Sequence, residues 1–258
     1  LWRGVKMAEI LAYWGGDERG NNFAVPKKDF PICVPIASQT LHAVGVATAL
    51  QYRKSAQAVV TVVGDGGTSR GDFYESINLA GVWQLPVVFV INNNGWAISV
   101  PIAQQTHAKT FAQKGIAAGI PSEQVDGNDV IAVQYAVQNA LEKARKGGGP
   151  SLIEALTHRM GDHTTADDAR RYRDEATWTK YQALDPISRL KIYLEDQKVW
   201  DAAQEQACKD QCLTDITAAV AEYESLGAMP AHEMFTHLYA SLPTAYQSQL
   251  AELTKWYG

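Results

Sequence analysis

Cysteine is scarce. The chain has three, Cys33, Cys208 and Cys212, among 258 residues, an odd count too small for a disulfide framework. Such usage fits a reducing compartment. Cys208 and Cys212 stand four apart, as two ligands on one helix face would, but no second ligand pair lies nearby to complete a metal site. Long apolar runs are missing as well. No stretch reaches the roughly 20 apolar residues that span a bilayer, so no membrane partner is expected. Positive charge is short: 23 Lys and Arg face 28 Asp and Glu, a net charge of −5, without the basic footprint of a nucleic-acid binder. Two phosphate-binding signatures are also absent. No G-x-G-x-x-G opens a strand–turn–helix unit, which disfavours a dinucleotide fold, and the lack of G-x-x-x-x-G-K-[ST] excludes a nucleoside-triphosphate loop. The chain begins at Leu1 inside an apolar-periodic stretch, LWRGVKMAEILAYW, so its natural start is expected upstream; no signal or transit segment is visible.

Hydrophobic residues make up 46% of the chain, and its length suffices for a full core. Residues 1–14 pattern as an amphipathic helix, 15–35 as an irregular loop, and 38–53 as a helix with small residues along one side. Two β-branched runs, 58–63 (AVVTVV) and 87–91 (VVFVI), flank a helical pattern over 72–83, which predicts a βαβ unit. A short extension over 96–100 follows, then a helix over 107–118 and a weak strand at 123–125. A helix starting at Asp129 stops at Gly147–Gly149, before a strand over 151–156. Strands alternating with helices predict a doubly wound α/β fold with a mostly parallel sheet. Residues 157–173 are dense in charge and hydroxyls and lack periodicity, as a long functional loop would be. From 185 onward the pattern is helical. The expected organisation is an α/β domain over 1–184 with 185–258 as its helical C-terminal extension.

Both strands of the βαβ unit end in polar turns, Gly64-Asp65-Gly66-Gly67 and Asn92-Asn93-Asn94. In a parallel sheet such turns lie side by side at the carboxyl edge, where ligands bind. Paired glycines let a phosphate approach the backbone, and N–H groups opening the next helix favour an anion. A carboxylate there would repel phosphate, so Asp65 makes sense as a ligand to a cation that bridges the phosphates. A hard cation such as Mg²⁺ prefers oxygen ligands. Asn94 can offer its amide oxygen and Trp96 its carbonyl. Two ordinary strand-ending turns are the alternative, disfavoured by this spacing and the strand–helix–strand context.

The stretch GDGGTSRGDFYESINLAGVWQLPVVFVINNNGWAISVP resembles the thiamine-diphosphate motif of the alpha subunit of E1, the decarboxylating component of 2-oxo-acid dehydrogenase complexes. QKGIAAGIPSEQVDGNDVIAV and EALTHRMGDHTTADDARRYR resemble the same family, and the likeness runs over nearly the whole chain. The resemblance implies a thiamine-diphosphate-binding fold and an oxidoreductase that decarboxylates pyruvate and passes the acetyl group to lipoamide. Branched-chain substrates such as 2-oxoisovalerate are the alternative. It implies thiamine diphosphate and Mg²⁺ as cofactors, an E1 beta subunit in an α₂β₂ heterotetramer, and the lipoyl domain of E2 as partner. The implied location is the cytoplasm of a bacterium, or the mitochondrial matrix of a eukaryote.

By position, Asp65, Asn94 and the Trp96 carbonyl match the family's Mg²⁺ ligands. Gly64, Gly66 and Gly67 fall at the diphosphate, and Ile36, in VPIASQ, meets the aminopyrimidine. Asn92 stands beside the diphosphate where some members place an arginine. His163 matches a loop histidine near the active-site channel and is the expected catalytic residue. Arg159 and the Arg170–Arg173 stretch share its loop. Arg70, where Glu or Gln is common, either restores positive charge or faces solvent. The carboxylate that activates the aminopyrimidine belongs to the beta subunit in this family. His42, His107, His158, His232 and His237 have no partner set in sequence and are read as structural. A homodimeric thiamine enzyme and a non-catalytic scaffold remain as alternative classes.

Overall fold

The computed structural model describes residues 1–25 and 28–257; Pro26 and Lys27, within the expected 15–35 loop, lie outside them. The chain forms two compact units, one of residues 1–32 with 202–258 and the other of 33–201. These divisions differ from the expected boundary at 184/185. In the first unit the opening helix α1 (Met7–Trp14) packs on the long C-terminal helix, and Lys6 Nζ meets Glu222 at 3.2 Å. Helix α1 starts at Met7 instead of residue 1, because the Glu9 carboxylate accepts the Lys6 N–H at 2.9 Å and caps the helix there.

The second unit carries the sheet. Helix α2 (Ser38–Tyr52) precedes strand β1 (Val59–Gly64); a 3₁₀ turn over Asp65–Ser69 leads into α3 (Gly71–Trp83), and β2 (Val87–Asn93) closes the βαβ unit. The expected extension over 96–100 is a small antiparallel hairpin, β3 (Trp96–Ala97) and β4 (Val100–Pro101), with Ile98 left-handed at its tip (φ 57°). A four-residue helix α4 (Ile102–Gln105) follows. The helix expected over 107–118 shortens to a 3₁₀ turn, Phe111–Gln113, and α5 (Lys114–Ala117). Thr110 is responsible: its hydroxyl accepts the Gln113 N–H at 3.2 Å, which sets the start at Phe111. Strand β5 (Ser122–Asp126), helix α6 (Val130–Arg145) and strand β6 (Ser151–Leu156) complete the sheet. Helices α7 (Glu175–Gln182) and α8 (Pro186–Asp196) end the unit, and Arg189 ties α8 to the sheet through Asp126 at 2.8 Å. The first unit resumes with α9 (Ala202–Ser225), α10 (Glu233–Thr236) and α11 (Thr244–Tyr257).

The strand order is β1-β2-β6-β5, every pair parallel. Alternate residues of β2 serve two cores. Val87, Phe89 and Ile91 join α2 and α3 on one face, while Val88 and Val90 join Ala136 and Ala140 of α6 on the other. Helices on both faces make the fold doubly wound, and burial on both faces explains why VVFVI is continuously apolar. Strand β5 is polar because it is an edge. Among the described residues no helix is long and apolar enough to cross a membrane.

Phe89 is fully buried at the sheet centre, edge-on to Phe73 with ring centroids 6.4 Å apart. Phe89→Ala is expected to lower unfolding free energy by about 3–5 kcal/mol in urea titration; a loss under about 1 kcal/mol would mean that Phe89 and the helices on its own face do not form one tightly packed core.

Candidate active site

The parallel register sets Gly64 opposite Asn92, so the Asp65 turn and the Asn92–Asn94 turn leave adjacent strands at the same edge. Asp65 is 1% exposed and opens the 3₁₀ turn. Gln105 Nε2 donates to its Oδ2 at 2.8 Å, and Gln105 Oε1 is buried with no partner among the described residues. Two cations beside this turn, Arg70 and Lys114, are engaged elsewhere. Arg70 pairs with Asp72 at 3.3 Å and its side chain is 60% exposed, so of its two expected roles it takes the solvent-facing one. Lys114, 7% exposed, donates to the Thr68 carbonyl and hydroxyl, both at 2.9 Å, and lies 5.0 and 5.2 Å from the ring centres of Tyr74 and Phe111. An ionised carboxylate out of water without a cation is costly. The donor set therefore fits a hard cation held beside the turn.

The glycines are needed for close approach. A Cβ on Gly66 would lie 2.6 Å from Ala97 Cβ of the hairpin. One on Gly67 would lie 2.5 Å from Val63 Cγ2 and 3.3 Å from Ile36 Cγ2. The structure thus sets Ile36 against the glycine turn, next to Ala37, whose left-handed backbone (φ 70°) turns the chain into α2. The first N–H groups of a 3₁₀ turn have no partner inside it; Gly66 is among them in the turn that follows Gly64, and with Gly67 beside it the backbone is bare of side chains, which suits a diphosphate.

In the second turn, Asn94 Oδ1 accepts the Trp96 N–H at 3.1 Å. An amide oxygen has two lone pairs, so one stays available for a cation. Asn92 is exposed, and its Oδ1 accepts the Thr157 hydroxyl at 2.7 Å, while its Nδ2 has no partner among the described residues. Asn93 is buried and bonded to Glu154 at 2.7 Å.

The 157–173 loop is built onto this edge. Thr157 N–H donates to the Asn93 carbonyl at 2.8 Å. Arg159 Nη2 donates to the Ile98 carbonyl and the Tyr172 hydroxyl, both at 2.7 Å, so the loop hangs on the hairpin tip. The Tyr172 ring lies against Trp96, centroids 5.2 Å apart and planes tilted by 51°, and its hydroxyl donates to Asp167, which also accepts the His163 N–H at 2.8 Å. The Tyr172 hydroxyl and then that N–H hold the Asp167 carboxyl below the usual carboxylate range. His163 itself is exposed, its Nδ1 3.5 Å from Arg159 Nη1. Among the described residues it makes no hydrogen bond to either turn; it joins the site through Arg159. Arg173 donates to the Arg159 and Met160 carbonyls.

Two buried charged residues here escaped the sequence patterns, Glu154 and Lys114. A lone Glu inside the apolar strand SLIEAL is the one sequence signal for the first; for Lys114 none stands out. Among the described residues no three His, Cys, Asp or Glu cluster as a metal site, and Cys208 and Cys212 are exposed free thiols.

A sequence model of the dehydrogenase E1 component family matches residues 1–231. The chain is 41% identical, over 261 aligned positions, to the pyruvate dehydrogenase E1 component subunit alpha of Acholeplasma laidlawii, covering 99% of this chain and 75% of the relative. It is 40% identical over 256 positions to the 3-methyl-2-oxobutanoate dehydrogenase subunit alpha of Mycobacterium tuberculosis, covering 98% and 69%. The pyruvate dehydrogenase E1 component subunit alpha of Staphylococcus aureus is 38% identical over 244 positions, covering 94% and 66%.

His158 stacks on Tyr181 with ring centres 3.8 Å apart, and its Nε2 is buried without a partner among the described residues. Burial first, then the charges of Arg173 and Arg159, hold it below the ordinary imidazole range. The neutral ring is therefore the folded form. As pH falls below about 6.5 the unfolded chain takes up a proton that the folded chain refuses, and stability is lost until pH passes the folded value. His158→Phe, which keeps the stacking, should show a shallower fall in melting temperature between about pH 7 and 5; equal slopes would contradict this assignment.

Proposed function

The chain belongs to the dehydrogenase E1 component family, and on that premise we propose that it is the alpha subunit of a pyruvate dehydrogenase E1 component, an oxidoreductase acting on 2-oxo acids. The family depends in general on thiamine diphosphate. When bound, that cofactor supplies an electron sink for decarboxylation of a 2-oxo acid. The observation that carries the proposal is Asp65, a buried carboxylate with no cation among the described residues, beside a bare glycine backbone and an amide-rich turn.

In this proposal Asp65, the Asn94 amide oxygen and the Trp96 carbonyl hold Mg²⁺. Gly66 and Gly67 donate N–H groups to the diphosphate from the turn that follows Gly64, and Asn92 adds its free carboxamide donor. Ile36 meets the aminopyrimidine through its backbone. His163, oriented by Arg159, hydrogen-bonds on the diphosphate side and helps pass the acetyl group to lipoamide. The carboxylate that activates the aminopyrimidine comes from a beta subunit, so the working enzyme is an α₂β₂ heterotetramer that serves the lipoyl domain of E2. The named relatives are all bacterial, which favours a bacterial cytoplasm.

A branched-chain substrate is the second reading, favoured by the near-equal identity to the mycobacterial 3-methyl-2-oxobutanoate subunit. Turnover by the chain with its beta subunit decides between them. Higher kcat/KM on pyruvate is expected; higher kcat/KM on 3-methyl-2-oxobutanoate would reassign the substrate.

Asp65→Asn should weaken Mg²⁺-dependent binding of thiamine diphosphate by on the order of 100-fold or more, read by calorimetry. Unchanged binding would remove Asp65 from the metal site. His163→Ala should leave that affinity within a few-fold and cut lipoamide-dependent turnover by about 10²-fold or more. Unchanged turnover would return His163 to an ordinary loop histidine.

A further inference from the structure

Strand β6 runs through the middle of the sheet, and its sequence, SLIEAL, sets a glutamate between Ile153 and Ala155, both buried. Glu154 is 1% exposed and stands opposite Ile91 in the register with β2. A hydrophobic residue would fill this place without desolvating a charge, so the fold alone does not call for a carboxylate here. Both oxygens are used. Oε1 accepts the Asn93 Nδ2 at 2.7 Å, and Oε2 accepts the Ala112 N–H at 2.8 Å. Neither bond comes from a cation, and no ion pair among the described residues includes Glu154.

Both Glu154 oxygens act as acceptors. Glu154 therefore dictates the sense of the Asn93 carboxamide: Nδ2 faces the strand and Oδ1 faces away. Oδ1 then accepts the Gly95 N–H at 3.1 Å, while the Asn93 carbonyl accepts the Thr157 N–H at 2.8 Å. Asn93 is thus pinned on three sides, and the chain leaves it turned so that Asn94 Oδ1 meets the Trp96 N–H at 3.1 Å. The bond to Ala112 acts at the other turn. It fixes the segment before Lys114, whose ammonium holds the Thr68 carbonyl and hydroxyl, and the Thr68 hydroxyl donates to the Asp65 carbonyl at 2.7 Å.

We propose that Glu154 is a positioning residue for the cation site, setting Asn94 through Asn93 and the Asp65 turn through Ala112 and Lys114. The inference rests on the assignment of Mg²⁺ and diphosphate to this edge. Groups that orient metal ligands without touching the metal typically change affinity by about 10–100-fold when altered.

The hydrogen bonds themselves supply the test. Glu154→Gln replaces one acceptor oxygen by an NH₂ donor, which must face either Asn93 Nδ2 or the Ala112 N–H, so one bond is lost whichever way the new amide turns. Adding Asn93→Asp reverses the polarity of the link. The new amide oxygen then accepts from Ala112, its NH₂ donates to the new carboxylate, and the second oxygen of that carboxylate accepts from Gly95. Charge and bond count return to those of the natural pair. The full chain, co-expressed with its beta subunit, is titrated with thiamine diphosphate in Mg²⁺, with melting temperature recorded separately. Ile153→Val, which trims the core next door, serves as the control for lost stability alone. Glu154→Gln is expected to weaken binding about 10–100-fold, Ile153→Val to leave it within about twofold, and Asn93→Asp with Glu154→Gln to recover it to within a few-fold of wild type. Wild-type affinity in Glu154→Gln, or a double variant no better than the single one, overturns the inference. Should Glu154→Gln yield no folded protein, Asn93→Ser removes only the carboxamide link, and wild-type affinity there overturns it equally. Asp65→Asn in the same titration separates the two levels. If Asp65→Asn binds as wild type, the metal assignment falls and the inference with it; if only Glu154→Gln does, the positioning role alone falls.

Discussion

A carboxylate removed from water must meet a positive charge or many donors, and at the carboxyl edge of this sheet Asp65 meets neither among the described residues. One amide of Gln105 bonds to it, while the neighbouring cations, Arg70 and Lys114, are spent on Asp72 and on Thr68. Such an arrangement is unfavourable for folding alone. It becomes favourable when a cation arrives with its own counter-anion, and the glycine backbone next to Asp65 has the shape and donors for a diphosphate. On the proposed reading, cation and diphosphate complete each other's site and bind as one event.

The surroundings serve that edge in layers. Parallel pairing of β1 and β2 places the two turns side by side, strand β3 of the hairpin sets Ala97 over Gly66, and the 157–173 loop is stitched to turn and hairpin by Thr157 and Arg159. Glu154 in the sheet and Lys114 at the start of α5 form a second, buried level behind the turns. His163 is the outermost member, exposed and linked inward through its ring to Arg159 and through its N–H to Asp167. That position suits a group meeting an acyl acceptor that arrives from solvent, in keeping with its proposed role.

The βαβ unit and both turns were legible in the sequence because their physics is local: β-branched runs, a helical period between them and polar residues at the strand ends. Asp129 likewise announced α6, and its carboxylate caps the helix by accepting the Ile131 and Ala132 N–H groups. The features that were not legible depend on partners distant in the chain. Glu154 reaches Asn93 across 61 positions, and Lys114 reaches Thr68 across 46. Residues 107–118 show a helical period over their whole length, yet Thr110 starts the helix late and the lysine turns inward. The grouping of the first helix with the C-terminal ones has the same origin, since periodicity shows that a helix has an apolar face but not what covers it.

Pyruvate and branched-chain relatives match the chain about equally, at 41% and 40% identity. The proposed cation site at the cofactor edge is common to both substrate readings. Its most direct test is anomalous diffraction from crystals of the full chain with its beta subunit, grown with thiamine diphosphate and Mn²⁺ in place of Mg²⁺. The account predicts one strong manganese peak within about 2.5 Å of an Asp65 carboxylate oxygen, the Asn94 amide oxygen and the Trp96 carbonyl. A peak coordinated by other residues, or bound cofactor with no peak beside Asp65, would contradict it.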